Sequence, residues 1–96
     1  MSVVSYLKLL PKPQFADQFQ RDLDLLLGLV RQQQGFVSVE VLRPADGSGA
    51  YVILSEWESE EAFKAWEHST RHQQVMDDYN QRTGEGYTRM RMNRYR

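Results

Sequence analysis

Along this chain the spacing of apolar residues switches between two and three-to-four, and that switching dictates the order of elements. Val3 to Leu10 is rich in β-formers and stops at Pro11 and Pro13, which disfavour both strand continuation and a helix interior. From Gln14 to Gln33 the period changes. Phe15, Phe19, Leu23, Leu26, Leu27 and Val30 recur at steps of three and four, the pattern of a helix with one buried stripe. Gly35 then stands where a helix C-terminal turn favours a residue free to take positive φ.

Phe36 to Arg43 alternates with period two and predicts a strand, with Val37, Val39 and Val41 opposing Phe36 and Leu42. Ala45 to Gly49, ADGSG, is a hairpin connection, and Ala50 to Trp57 is the returning strand. Ser59 is placed as the N-cap of a short second helix, with Glu60 and Glu61 in its first turn. The helix is expected to change direction near Ser69. Thr70 with Gln73 fits a capping box for a fresh start, and His72, Val75, Met76 and Tyr79 share a face of this third helix. After a turn at Thr83 to Gly86, Tyr87 to Arg96 alternates again. The order β-α-β-β-α-β is that of the ferredoxin-like α+β fold with an antiparallel sheet.

Ninety-six residues suffice for a single domain, read as 1–96, with a core small enough that association is expected. A 41% hydrophobic and 26% charged composition predicts a soluble globular chain. The net charge of −1 supplies no general attraction to nucleic acid or anionic membrane. Absence of cysteine excludes disulfides, thiolate metal sites and a catalytic thiol, and is compatible with a cytoplasmic location. The first thirteen residues are too short and too interrupted for a signal peptide or membrane span.

Helices in this fold cover one face of the sheet, and a wet opposite face calls for clean apolar–polar alternation. These strands alternate only weakly. Val52 and Leu54 oppose Tyr51, Ile53 and Trp57, while Val3, Leu7 and Leu9 oppose Val4, Tyr6 and Leu10. Burying one such side chain contributes roughly 1.5–3 kcal/mol, so half a dozen left in water forfeit a sum comparable to the stability of a small domain, about 5–15 kcal/mol. A second copy packed sheet to sheet about a two-fold axis, a homodimer, is the expected cover.

The stretch SEWESEEAFKAWEHS, Ser55 to Ser69, resembles the antibiotic biosynthesis monooxygenase (ABM) family. Trp57 matches a strand-end tryptophan, Glu58 to Glu61 the polar turn after it, and Ala62 to Trp66 the helix that follows, with Ser69 three residues on. Gly35 to Pro44 is similar to the family's second strand. The resemblance implies a dimeric α/β barrel of ferredoxin-like subunits. It also implies a candidate activity: cofactor-independent oxidation by O2 of a small, planar, electron-rich aromatic of quinol or anthrone type.

Within that resemblance Trp66 is the helical tryptophan that lines a pocket between helices and sheet, where an indole suits stacking on a planar ring; its other role is to seal the helix onto the sheet. Phe63, Met76 and Tyr79 are further substrate-lining candidates. Some relatives carry a tyrosine near His72. An imidazole there can accept a phenolic proton or serve as a satisfied core residue. His72 and Trp66 are therefore the catalytic candidates, with Tyr79 a second proton acceptor, while His68 is expected in solvent. Arg89 and Arg91 share a face with Tyr87, Asn93 and Tyr95, opposite Thr88, Met90, Met92, Arg94 and Arg96. They are candidates to hold an oxyanion, or charges that protect an edge strand.

Haem-degrading relatives place an iron-ligating histidine ten residues after the helical tryptophan and an asparagine on the first strand. Here those positions are Met76 and Ser5, so haem is disfavoured, though a haem-binding or non-catalytic ligand-binding protein is the alternative function. Two histidines without a His-x-x-x-His or carboxylate grouping predict no metal site. RNA-recognition domains share the element order but need a Lys/Arg-Gly-aromatic run on the third strand, which AYVILSEW lacks.

Overall fold

A computed structural model describes residues 2–93. The elements are β1 (Val3–Pro11), α1 (Ala16–Val30), β2 (Phe36–Leu42), β3 (Tyr51–Trp57), α2 (Glu60–Glu67), α3 (Thr70–Asp78) and β4 (Gly84–Met92). A 3-10 turn at Pro13–Phe15 precedes α1, and a π-helical turn at Tyr79–Thr83 follows α3. The strands form one antiparallel sheet in the order β2-β3-β1-β4, which is the ferredoxin-like arrangement expected. Arg94, Tyr95 and Arg96, expected to prolong the last strand, lie outside the described residues.

The helices cover the face formed by Ser5, Leu7 and Leu9 of β1, Tyr51, Ile53, Ser55 and Trp57 of β3, Val39 and Val41 of β2, and Arg89 and Arg91 of β4. Burial divides there into two clusters. One joins Leu7, Leu9, Tyr51 and Ile53 to Phe19, Leu23, Met76 and Tyr79. The other gathers Leu26, Val30, Trp57, Phe63 and Trp66. The amphipathic period of α1 explains both, because Phe19, Leu23, Leu26 and Val30 are its buried stripe.

Three local expectations are corrected. Phe36, not Val37, shares the helix-covered face with Val39 and Val41. A β-bulge lets Phe36 pair with Trp57 and Ser38 with Glu56, so Val37 is the extra residue and turns out to water, 50% exposed. The N-cap of α3 is Ser69, whose Oγ accepts from the His72 N–H at 3.3 Å, so Thr70 is already the first helical residue. The expected turn at Thr83 to Gly86 is partly taken by the π-helical turn, and β4 starts at Gly84.

Gly84 is required by packing. A Cβ there would lie 2.1 Å from the Tyr79 ring. Gly35 has φ 82°, and a Cβ on it would come within 2.5 Å of the Ala62 Cβ, so both conformation and space demand glycine. Ser59 caps α2 as expected, its Oγ accepting from Ala62 N–H at 3.1 Å.

The open face is less uniformly apolar than the strand patterns suggest. The paired rows read Ser38–Glu56–Val4–Met92, then Glu40–Leu54–Tyr6–Met90, then Leu42–Val52–Lys8–Thr88. An apolar diagonal runs from Met92 through Tyr6 and Leu54 to Leu42, flanked by Glu40, Glu56 and Lys8. Leu42, Met90 and Met92 are exposed on it.

Candidate active site

The site begins with a helix end. The last turn of an α-helix leaves carbonyls without intrahelical partners. In α2 one of these is the carbonyl of Glu67, and the ring of His72, from the first turn of α3, reaches back to it with Nδ1 at 3.1 Å. A carbonyl oxygen can only accept, so Nδ1 carries the hydrogen and the lone pair sits on Nε2. The break between α2 and α3, fixed by the Ser69 cap, is therefore what aims His72. Its ring is buried and meets the Trp66 ring edge-on at 5.0 Å.

Burial lowers the His72 pKa below the ordinary 6.5, and the Arg89 charge lowers it further; the Glu67 carbonyl and carboxylate act in the opposite sense. The imidazole is thus neutral at pH 7, in the form that can accept a proton. Arg89 Nη1 donates to Glu67 Oε2 at 2.9 Å, and Arg91 pairs with Glu67 Oε1 at 3.4 Å and with Glu60. Glu67 consequently holds His72 through its main chain and Arg89 through its side chain.

Beneath His72 and Arg89 lies a narrow inner cavity of about 40 Å3, partly open, where the two core clusters meet. Its walls include Phe63, Trp66, Leu26, Val30, Val39 and Ile53. The space exists because Ser5 and Ser55 pair across β1 and β3 at inward positions where the neighbouring positions carry Leu7, Ile53 and Trp57. Ser55 Oγ accepts from Trp57 Nε1 at 3.0 Å. Outside the same two residues is an open groove of about 440 Å3 bordered by Glu67, His72, Gln73, Met76, Asp77, Asn80, Tyr87 and Arg89. His72 and Arg89 border both spaces and form the wall between them.

Of the residues singled out from the sequence, Phe63, Trp66, His72 and Arg89 converge on the inner cavity. One face of the Trp66 indole stacks on Trp57, at 6.4 Å between centroids and 23° between planes, and the residue also lines the cavity. Tyr79 is elsewhere. Its hydroxyl accepts from Leu10 N–H at 2.7 Å and donates to the Gly86 carbonyl, filling the gap where the β1–β4 register shifts after Leu9. Burial raises its pKa, so it is a fastener and not a proton acceptor. Met76 packs with Phe19 and Leu23 against a second void of about 20 Å3 and borders the groove. Arg91 lies over the Phe63 ring, 4.7 Å from its centroid, outside the cavity lining. His68 is exposed as expected.

Sequence reasoning missed Ser55, Tyr87 and Asn80 and took Ser5 only as a departure from a relative's asparagine. A signal was present for the serines, since Val3-Ser5-Leu7-Leu9 and Tyr51-Ile53-Ser55-Trp57 each interrupt an apolar face with one small polar residue. For Tyr87 and Asn80 no local pattern distinguishes a groove wall from ordinary surface.

Fold and site together define a ferredoxin-like protein with a buried imidazole and a guanidinium at a small, mostly apolar recess. The sequence model described as antibiotic biosynthesis monooxygenase matches residues 2–78, and the chain belongs to that family. Among solved structures it is similar to Rv0793 from Mycobacterium tuberculosis, with a TM-score of 0.88, 16% identity and coverage of 100% of this chain and 97% of that one. It is also similar to SnoaB, a cofactor-independent oxygenase from Streptomyces nogalater, with a TM-score of 0.85, 15% identity and coverage of 99% and 94%. At such identities the likeness is one of fold. A mycobilin-producing heme oxygenase of M. tuberculosis is 43% identical over 37 residues, covering 38% of this chain and 35% of that protein. YqjZ of Bacillus subtilis is 42% identical over 48 residues, covering 50% of this chain and 40% of that protein. The chain thus matches well under half the length of these curated relatives.

The residues present do not fit a haem. Met76, at the position where haem-degrading relatives are expected to carry a histidine ligand, is packed into the core with Phe19 and Leu23. Both internal voids fall far below the roughly 300 Å3 at which organic-ligand pockets begin. Among the described residues no group of three or more His, Asp or Glu could hold a metal ion, and no helix is long and apolar enough to cross a membrane.

Proposed function

We propose that the protein is a cofactor-independent monooxygenase that oxidises a small electron-rich aromatic, of quinol or anthrone type, with O2. The observation that carries this reading is the neutral, buried His72 held in one tautomer beside the cationic Arg89 at the head of a substrate-sized groove. A planar substrate lies against Tyr87, which is 49% exposed at the rim, with its oxygen towards His72 and Arg89. His72 accepts the acidic proton and Arg89 steadies the resulting anion. The anion passes one electron to O2, and the substrate radical and superoxide combine at a ring carbon. The peroxide takes up a proton and loses water, leaving a carbonyl, so that CH2 and O2 become C=O and H2O. The protein supplies proton removal and orientation. Family membership and the shared fold of an oxygenase described as cofactor-independent support the reading.

Within this reading the chain works as a homodimer whose open sheet faces pack together. Support comes from the exposed Leu42, Met90 and Met92 on that face, with Glu40 and Lys8 beside them as charges that can set the register between copies.

The test is aerobic turnover of a model anthrone by metal-stripped protein, followed by oxygen uptake and product absorbance. His72→Ala and Arg89→Gln are expected to remove most of the rate. Folded variants that turn over at the wild-type rate overturn the assignment, and absence of turnover across a panel of anthrones and quinols overturns the activity.

A further inference from the structure

We propose that the inner cavity is a binding site for an ordered water, held among Ser5, Ser55, His72 and Arg89, through which His72 takes up and gives back a proton. The water site stands on the cavity alone, while its use in turnover rests on the oxygenase reading. A space of about 40 Å3 exceeds the about 10–15 Å3 that one water needs. It is far below the roughly 300 Å3 at which organic-ligand pockets begin.

The polar atoms of the wall select water. Ser5 is 3% exposed and His72 5%, and within the described residues neither the Ser5 hydroxyl nor His72 Nε2 has a hydrogen-bond partner. No fully enclosed side-chain nitrogen or oxygen among the described residues lacks a partner, so both atoms border open space and not packed side chains. For Ser5 that space is the inner cavity. Ser55, its partner across β1 and β3, accepts from Trp57 Nε1 and keeps its own hydrogen to donate. Arg89 commits Nη1 to Glu67 and keeps further N–H groups. A trapped water is stable with two to four partners, and these four residues supply them.

The set is mixed in character. Nε2 of the neutral ring only accepts, the guanidinium only donates, and the hydroxyls do either. An anion would face the Nε2 lone pair, and an apolar guest would leave every one of these groups unsatisfied. Water donates to Nε2 while it accepts from Arg89 or a serine. The same network serves the protonated ring, because Nε2–H then donates to the water and the water turns to donate to Ser5 Oγ. The cavity is partly open, so a proton reaching the water from outside passes on as the water gives one of its own to Nε2. The water is neither consumed nor made. In the oxygenase reading the outside donor is the substrate.

The test begins with NMR on the protein in ordinary water. Water cross-peaks to the methyls of Val39 and Ile53 are expected, with the sign of a long-lived contact. Ser5→Val fills the space and removes a hydroxyl, and Val39→Ile fills it from an apolar wall; both are expected to abolish the cross-peaks. Both should also shift the His72 ring titration downward, because the charged ring loses its hydration while Arg89 and Glu67 stay in place. Ser5→Ala keeps the space and loses one partner, so a smaller shift is expected. A purely structural role for Ser5 would leave the titration unmoved. In turnover of a model anthrone, the filled variants are expected to lower kcat severalfold with KM for the anthrone unchanged. Two filling variants guard against one that fails to fold, which a thermal melt identifies. Absence of the cross-peaks, or a His72 titration unmoved by filling, overturns the proposal and leaves the oxygenase reading intact. Cross-peaks and a shifted titration without any turnover retain the water site and overturn the oxygenase reading.

Discussion

His72 Nδ1 lies 3.1 Å from the main-chain carbonyl oxygen of Glu67, so one residue fixes the tautomer of the buried imidazole and, through its carboxylate, holds the neighbouring Arg89. This makes the acid–base behaviour of the site depend on a short helix break and a partly buried ion pair. Both can be perturbed separately.

The pH dependence of stability follows from the lowered His72 pKa. Unfolded, the imidazole titrates near 6.5; folded, it titrates lower, because burial and then Arg89 oppose its charge. The unfolded state therefore binds the proton first as the pH falls. The contribution is fully present above the unfolded value and is lost as pH falls through the folded one. Thermal unfolding between pH 7 and pH 5 is expected to show a smaller loss of Tm in His72→Gln than in the parent protein.

Charge variants around His72 are expected to move its pKa in opposite directions. Arg89→Gln removes a lowering influence and raises it, whereas Glu67→Gln removes a raising influence and lowers it further. Histidine ring NMR titration reads both. The Glu67 variant should lose no more than about 1 kcal/mol of stability, because its ion pairs are partly exposed. Shifts of the same sign in both variants would contradict the arrangement.

The two close-packed glycines should be intolerant. Gly84→Ala drives a methyl into the Tyr79 ring and is expected to cost about 1–3 kcal/mol or more. Gly28→Ala, in α1 with open space around it, should instead stabilise by about 0.4–1 kcal/mol. Urea unfolding of the pair compares them.

Ser55→Ala leaves the buried Trp57 N–H without its acceptor and is expected to cost about 1–3 kcal/mol. The same change enlarges the inner cavity. Denaturant midpoints measure the loss, and indole N–H exchange should quicken in parallel.

Leu54→Arg tests the proposed homodimer. The side chain stands in the row Glu40–Leu54–Tyr6–Met90 on the open sheet face, away from the site. Sedimentation is expected to show a dimer for the parent and a monomer for the variant, with near-UV circular dichroism retained. A monomeric parent at micromolar concentration would remove the homodimer.

The element order and the buried stripes were set by the sequence, because each depends on neighbours a few positions apart. The period of α1 from Phe19 to Val30, the cap at Ser59, the glycine at 35 and the alternation of β3 are all local signals. So was the family, through Trp57 and the helix that leads to Trp66. Tertiary structure decided what those residues do. One extra residue at Val37 reversed a face, which period-two counting cannot foresee. Tyr79 was drawn from the site by a ladder gap that arises only when β1 meets β4. Ser5 and Ser55 became a cavity only when the register placed them side by side, and Glu67 found Arg89 across 22 positions of sequence. Periodicity records which way a side chain faces along its own element. What it meets depends on register and on distant charge, and these are fixed only when the elements pack.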